Sequence, residues 1–378
     1  MPSFLLPARR LVISSALVLG GCGAPSQPTV GTPNGSGLIA ETVAGGFDTI
    51  WEMLWAPDGS IWFTQRSGDV TRLDPVAGTV SSIGHIAVAE IGEGGLMGIA
   101  LHPDFPTQPW VYFAATYAAP GGTRNRILRA RVSGGMLGTP EVLLDDIPGS
   151  SIHNGSRLTV GPDRLLYVTT GDASNADLAQ SQASPAGKIL RLTLDGAPAG
   201  YLPGSPLFSW GHRNPQGLVF APSGTLYETE HGPSDNDEVN IILAGRNYGW
   251  PNVHGRCDDD VGSGEIAFCR ANSVVEPIRT WTPTIAPADA AYYESTRIPG
   301  WQGSLLFTSL KGSSLHRLGL SADGRTVIAS ESLFTGSFGR LRSILVAPDG
   351  LVYIATSNRD GRGSPQGNDD RIIRIRPR

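Results

Sequence analysis

His153 and Asp172 bracket a hairpin-length stretch that reads HNGSRLTVGPDRLLYVTTGD. If adjacent strands set the two side by side, Asp172 accepts from one imidazole nitrogen and leaves the other free as a base. A histidine that only satisfies a turn is the alternative. Further along, WGHRNPQ places Arg213 and Asn214 directly before Pro215. The proline biases Asn214 to an extended backbone, and the arginine offers planar paired donors suited to carboxylate or quinone oxygens. A purely structural arginine would look the same. A third stretch, EHGPSDNDE (Glu230 to Glu238), is followed by GRNYGWP. Acidic side chains and the carbonyls of a tight Gly-Pro loop are hard oxygen ligands, the set that calcium takes; a solvated acidic loop is the competing reading. The fourth group is cationic: Lys311, Arg340 and Arg342, with Thr284 on a turn. Arg340 and Arg342 are two apart, so a strand would point them to one face. Three cations in one region suit a small polyanion, and a solvated basic edge is the alternative.

These polar clusters sit in a chain whose period is never helical. Short alternating or β-branched and aromatic runs recur instead, which predicts an all-β fold. The repeating unit is a Pro-Asp-Gly turn or near relative, a strand with an early aromatic, and a strand carrying hydrophobic-Arg-hydrophobic. APDGSIWFTQ with VTRLDP and APDGLVYIATS with RIIRIRP are two of its copies. The turns fall near Asp58, Asp104, Asp163, Ser223, Gln302 and Asp349, a step of roughly 58 residues, longer than that of common propeller repeats. Six copies predict a six-bladed β-propeller, since such units bury both faces only by packing radially into a closed ring. A sandwich or β-helix is the alternative. The long interval from Ser223 to Gln302 predicts a blade with an inserted loop, and residues 40 to 50 or so are expected to close the last blade.

The 378 residues are 40% hydrophobic and 17% charged with a net charge of -5, ordinary values for a globular chain. The 49 glycines and 29 prolines demand frequent turns. Mild acidity without a basic block argues against nucleic acid as a partner. Residues 1–22 have the layout of a signal peptide: Arg9 and Arg10, an apolar run to Leu19, then Leu19-Gly20-Gly21-Cys22. That last tetrad resembles a bacterial lipobox, which predicts export with a lipid anchor at Cys22. A plain secretory signal is the alternative. Residues 23–38, rich in Gly, Pro, Ser and Thr, read as a tether, leaving 39–378 as the propeller. In an exported chain Cys257 and Cys269 are expected to pair locally, a zinc pair being disfavoured for want of further ligands.

Taken in order, EGGLMGIALHPDF, HNGSRL, GHRNPQG, EHGPSDNDEVN, NYGWP, PTIAP, SLKG and GRLRSILVAPDG resemble the soluble pyrroloquinoline quinone (PQQ) dependent glucose/sorbosone and aldose sugar dehydrogenases. The resemblance spans nearly all of residues 40–378 and itself implies a six-bladed propeller with PQQ over its central face and calcium bound. It implies that His153 is the catalytic base, that Asp172 orients it, and that Arg213 and Asn214 lie near the reactive quinone carbonyl with Gln216 close by. Thr284, Lys311, Arg340 and Arg342 match positions that hold the cofactor's carboxylates and ring oxygens. Gly232 and Pro233 match carbonyl ligands of the cofactor calcium, and the Glu238 and Tyr248 region resembles a second calcium site. Glu93, assigned to substrate, stands where the glucose-oxidising branch has Gln. Ile152 before the base and Ser156 in place of a frequent Gly are further departures, and together they favour a broad aldose preference. The implied reaction oxidises an aldose at its anomeric carbon to a lactone, with electrons leaving to an external acceptor at the periplasmic side of the envelope or outside the cell. A non-catalytic binding propeller and a propeller lactonase or hydrolase are the competing readings.

Overall fold

The computed structural model describes residues 1–2, 37–258 and 264–378. The signal peptide, Cys22 and nearly all of the tether lie outside the described residues. Six antiparallel sheets form the six blades of a propeller. Blade 1 runs Ile50–Trp55, Ile61–Gln65, Asp69–Leu73 and Val80–His85, from the axis outward. The innermost strands of the other blades are Leu96–Leu101, Leu158–Val160, Pro215–Phe220, Pro287–Tyr293 and Leu341–Val346. Each packs against the next around the axis, and Leu341–Val346 meets Ile50–Trp55 to close the ring. The first strand of the chain, Leu38–Gly45, pairs with Arg371–Pro377 and completes blade 6. The closing strand, expected over residues 40 to 50 or so, spans Leu38–Gly45, and Ile50 already opens blade 1.

The repeated turn has a shared cause. In blades 1, 3, 4 and 6 it joins the first two strands, and an Asp or Ser side chain accepts from the backbone N–H two residues on. The four bonds are Asp58 with Ser60 at 3.0 Å, Asp163 with Leu165 at 3.2 Å, Ser223 with Thr225 at 3.4 Å and Asp349 with Leu351 at 3.0 Å. The residue between them is left-handed in every case: Gly59, Gly224 and Gly350, with Arg164 in blade 3. Behind these turns the second strands are almost wholly buried, because adjacent blades cover both faces. Phe63, Val168, Phe307 and Ile354 sit in the layers between blades.

The inserted loop lies in blade 4, between Asp237–Ile242 and Arg279–Trp281. Its described residues include a short helix, Glu265–Asn272, which the absence of a 3.6-residue period did not predict. Cys257 and Cys269 are disulfide-bonded with their Cα atoms 6.0 Å apart, tying this helix to the loop before it. Among the described residues no helix is long and apolar enough to cross a membrane.

A charged cluster on the axis joins all six blades. Arg157, 1% exposed, donates from Nε to the Gln216 carbonyl at 2.8 Å. Its Nη1 lies 3.2 Å from Glu52 and 3.3 Å from Asp289. Glu52 also accepts from Ile99 N–H, and Asp289 from Ser343 Oγ and Ile344 N–H. Burial lifts the Glu52 carboxyl to about 8, with Arg157 opposing and Asp289 adding. A carboxyl so raised keeps in the fold a proton that the unfolded chain has lost. Its contribution to stability is therefore full below 4.5, its ordinary value, and fades as pH climbs toward about 8. Thermal melts between about pH 5 and pH 8 should show a declining midpoint that Glu52→Gln flattens; an equal decline in both proteins contradicts this role.

Candidate active site

The site lies on the face where the first strands begin. His153 precedes Leu158–Val160 and Asp172 follows Leu166–Thr170, two paired strands of blade 3. The pairing brings them together as expected: His153 Nδ1 is 2.8 Å from Asp172 Oδ1. Gly171 permits the approach, since a Cβ there would stand 1.9 Å from the His153 carbonyl oxygen. With Nδ1 donating to the carboxylate, Nε2 is left without a bond to any described residue. Glu93 accepts from the His153 backbone N–H at 3.1 Å, and its other oxygen pairs with Arg362 at 2.9 Å. Glu93, expected at the substrate, therefore stands beside His153.

Arg213 and Asn214 lie between the last strand of blade 3 and the first of blade 4. The Arg213 carbonyl accepts from Asp172 N–H at 2.8 Å, so the two motifs are stitched by backbone. Its guanidinium donates to the His231 carbonyl at 3.2 Å and rests over the Trp250 ring, while the buried Nε has no partner. Burial lowers its proton affinity, against the fields of Asp172, Glu230, Asp237 and Glu93. Asn214 Oδ1 accepts from Gly155 N–H and from Gln216 Nε2, both at 3.1 Å. Gln216 Oε1 in turn meets Arg342 at 3.4 Å. Arg340 and Arg342 share one face, and Asp360 lies 2.8 Å from the first and 3.8 Å from the second. Burial pulls Arg342 down to about 10, with Asp360 countering. Lys311 stands on the blade 5 side, exposed, donating to Thr284 Oγ1 at 2.6 Å. Arg340 and Arg342 thus share Asp360, while Lys311 is paired with Thr284.

Gly232, Pro233, Glu238 and Tyr248 line one cavity of about 10 Å³, together with Glu230, Arg213 and Trp250. That is room for a single water-sized body. The Tyr248 hydroxyl is fully used, donating to the Ile241 carbonyl and accepting from Leu243 N–H, so only its backbone oxygen remains for a ligand. Beside this cavity Glu228, Glu230 and His212 are buried together. Asn240 bridges Glu228 and Glu238 at 3.0 and 2.9 Å, and one oxygen each of Glu228 and Asn240 is buried without a partner. Burial and the neighbouring Glu230 raise both the Glu228 and Glu238 carboxyls. Uncompensated buried carboxylates with orphaned oxygens are the donor chemistry of a cation site.

Several site residues escaped the sequence reading. Trp250 donates to Asp172 Oδ2 at 2.9 Å. His231 is half-buried beside Asn214; desolvation, then Arg213, Arg342 and His153, push it down to about 3, so it is neutral. Asp237, raised by burial to about 6, accepts from the Gly232, Ile285 and Ala286 N–H groups and fixes the Gly-Pro loop. Glu228 had a readable signal: it and Glu230 stand two apart in the strand Leu226–Glu230, hence on one face.

Comparison with known proteins agrees with this architecture. Quinoprotein glucose dehydrogenase B of Acinetobacter calcoaceticus is 31% identical, over 85% of this chain and 85% of that protein. Aldose sugar dehydrogenase YliI of Escherichia coli is 27% identical, over 83% and 88%. The solved PQQ-bound form of aldose sugar dehydrogenase from Streptomyces coelicolor aligns with a TM-score of 0.79 at 36% identity, over 93% of this chain and 99% of that one. Residues 47–373 match the family described as Glucose / Sorbosone dehydrogenase, and the chain belongs to that family.

Proposed function

We propose that this protein is a PQQ-dependent aldose sugar dehydrogenase that oxidises the anomeric carbon to a lactone and passes electrons to an external acceptor. The observation that carries the reading is the His153–Asp172 pair, with Glu93 bonded to the His153 backbone and with His153, Arg213 and Arg342 gathered around His231. A binding module has no need of an oriented base. The donor set fits a flat tricarboxylated quinone: Arg340, Arg342 and Lys311 supply fixed positive charge, and the unpartnered Arg213 Nε awaits an acceptor. When bound, PQQ supplies the carbonyl carbon that accepts hydride.

The chain's own residues do the rest. His153 Nε2 takes the proton of the anomeric hydroxyl while Asp172 holds the ring and steadies its positive charge. Glu93 orients the sugar beside the base. Arg213 offers preorganised charge where negative charge develops on the accepting oxygen. Asn214 and Gln216 form the adjoining polar floor, and Thr284, Lys311, Arg340 and Arg342 position the cofactor without reacting. Gly232 and Pro233 would offer carbonyls to calcium at the cofactor, and Glu238 with the Tyr248 carbonyl would hold a second ion. The N-terminal segment supports an exported, lipid-anchored protein.

Product analysis tests the reaction. An aldose incubated with PQQ-loaded protein and an artificial acceptor should yield lactone at one molecule per electron pair, and acceptor reduction without lactone contradicts it. Lys311→Ala tests the cradle: losing one charge-assisted contact should weaken PQQ affinity by roughly tenfold or more with the melting temperature unchanged. An unaltered PQQ titration removes Lys311 from the cofactor site.

A further inference from the structure

We infer that Trp250 is a positioning residue that acts on the reaction through Asp172. Resting on the proposed dehydrogenase for its kinetic part, the inference starts from a carboxylate with two separate tasks. Asp172 Oδ1 faces His153 Nδ1 at 2.8 Å and accepts from Ser174 N–H at 2.8 Å. Oδ2 takes one hydrogen bond, from Trp250 Nε1 at 2.9 Å. Without that bond the buried carboxylate keeps Oδ1 on Ser174 and His153 but has an unpartnered Oδ2, and its soft terminal torsion is less tightly fixed. The partner of the imidazole would be less precisely placed.

Trp250 is well held for this task. Its N–H donates to the Gly211 carbonyl at 3.0 Å, and its carbonyl accepts from Gln180 Nε2 at 2.6 Å. Its ring stacks on His254 with centroids 5.1 Å apart. The opposing charge is also set by this ring, since the Arg213 guanidinium carbon lies 5.2 Å from its centroid. One side chain, delivered from the blade 4 insertion, thus fixes the orienting carboxylate with its edge and the electrophilic arginine with its face.

The test separates the edge from the face. Trp250→Phe keeps a ring and removes the N–H donor. Its kcat should fall by about tenfold with the sugar KM and the PQQ titration within about twofold of wild type. In an Asp172→Asn background the same change should cost less than about twofold, because both act through one group. Equal losses in both backgrounds, or a kcat unchanged in the single variant, overturn the inference. An arm that needs no turnover guards against failure of the dehydrogenase reading or of the variant's folding. In cofactor-free wild-type protein one indole N–H resonance should resist solvent exchange and shift on Asp172→Asn; no indole resonance that behaves so overturns it equally.

Discussion

Replacing His153 with Ala is expected to leave PQQ binding intact and to lower kcat by roughly a hundredfold or more, the usual worth of a positioned base. The side chain is 14% exposed at the site surface and carries one hydrogen bond, to Asp172. Its removal therefore empties little of the core and should leave the melting temperature nearly unchanged. The cofactor's cationic neighbours are untouched, so a spectral titration with PQQ should superpose on that of wild type. Binding retained and turnover lost is the pattern of a group that acts in the transition state. Near-normal turnover would remove His153 from the chemistry and leave the dyad a structural pair.

The second large effect concerns Arg213. Its guanidinium is held by one bond to the His231 carbonyl and by the Trp250 ring, with Nε buried and unpartnered. Such a group has already lost its water and is fixed before any charge appears near it, which is what makes electrostatic stabilisation effective. Arg213→Met, similar in length and uncharged, should lower kcat/KM by about a hundredfold to a thousandfold. Part of that loss should appear as weaker PQQ binding, unlike the His153 variant. A change of less than about fivefold in kcat/KM would show that other donors carry the developing charge.

Much of this was legible in the sequence, for identifiable reasons. The blades were readable because each turn needs an Asp or Ser that caps its own backbone and, in three of four, a glycine after it; Asp58-Gly59 and Asp349-Gly350 announce themselves. His153 and Asp172 were readable because one hairpin positions both. Trp250 was not, because its partner Asp172 is 78 residues away and only the packing of the blade 4 insertion on blade 3 brings them together. Asp360 lies in a glycine-rich loop of blade 6 that carries no strand pattern, and it pairs with Arg340 across 20 residues. The helix Glu265–Asn272 lacks an apolar stripe and is fixed instead by its disulfide and its buried Glu265 and Cys269. The axial cluster was invisible as well: Glu52, Arg157 and Asp289 are ordinary strand-edge charges until six blades converge on them.

The most direct test of the central claim is a titration of the cofactor-free propeller with PQQ in the presence of calcium, following reduction of an artificial dye by a panel of aldoses. The account predicts saturable dye reduction that requires both PQQ and an aldose and that is absent from the His153→Ala protein at equal PQQ occupancy. Dye reduction independent of PQQ, or PQQ saturation with no turnover of any aldose, would contradict it.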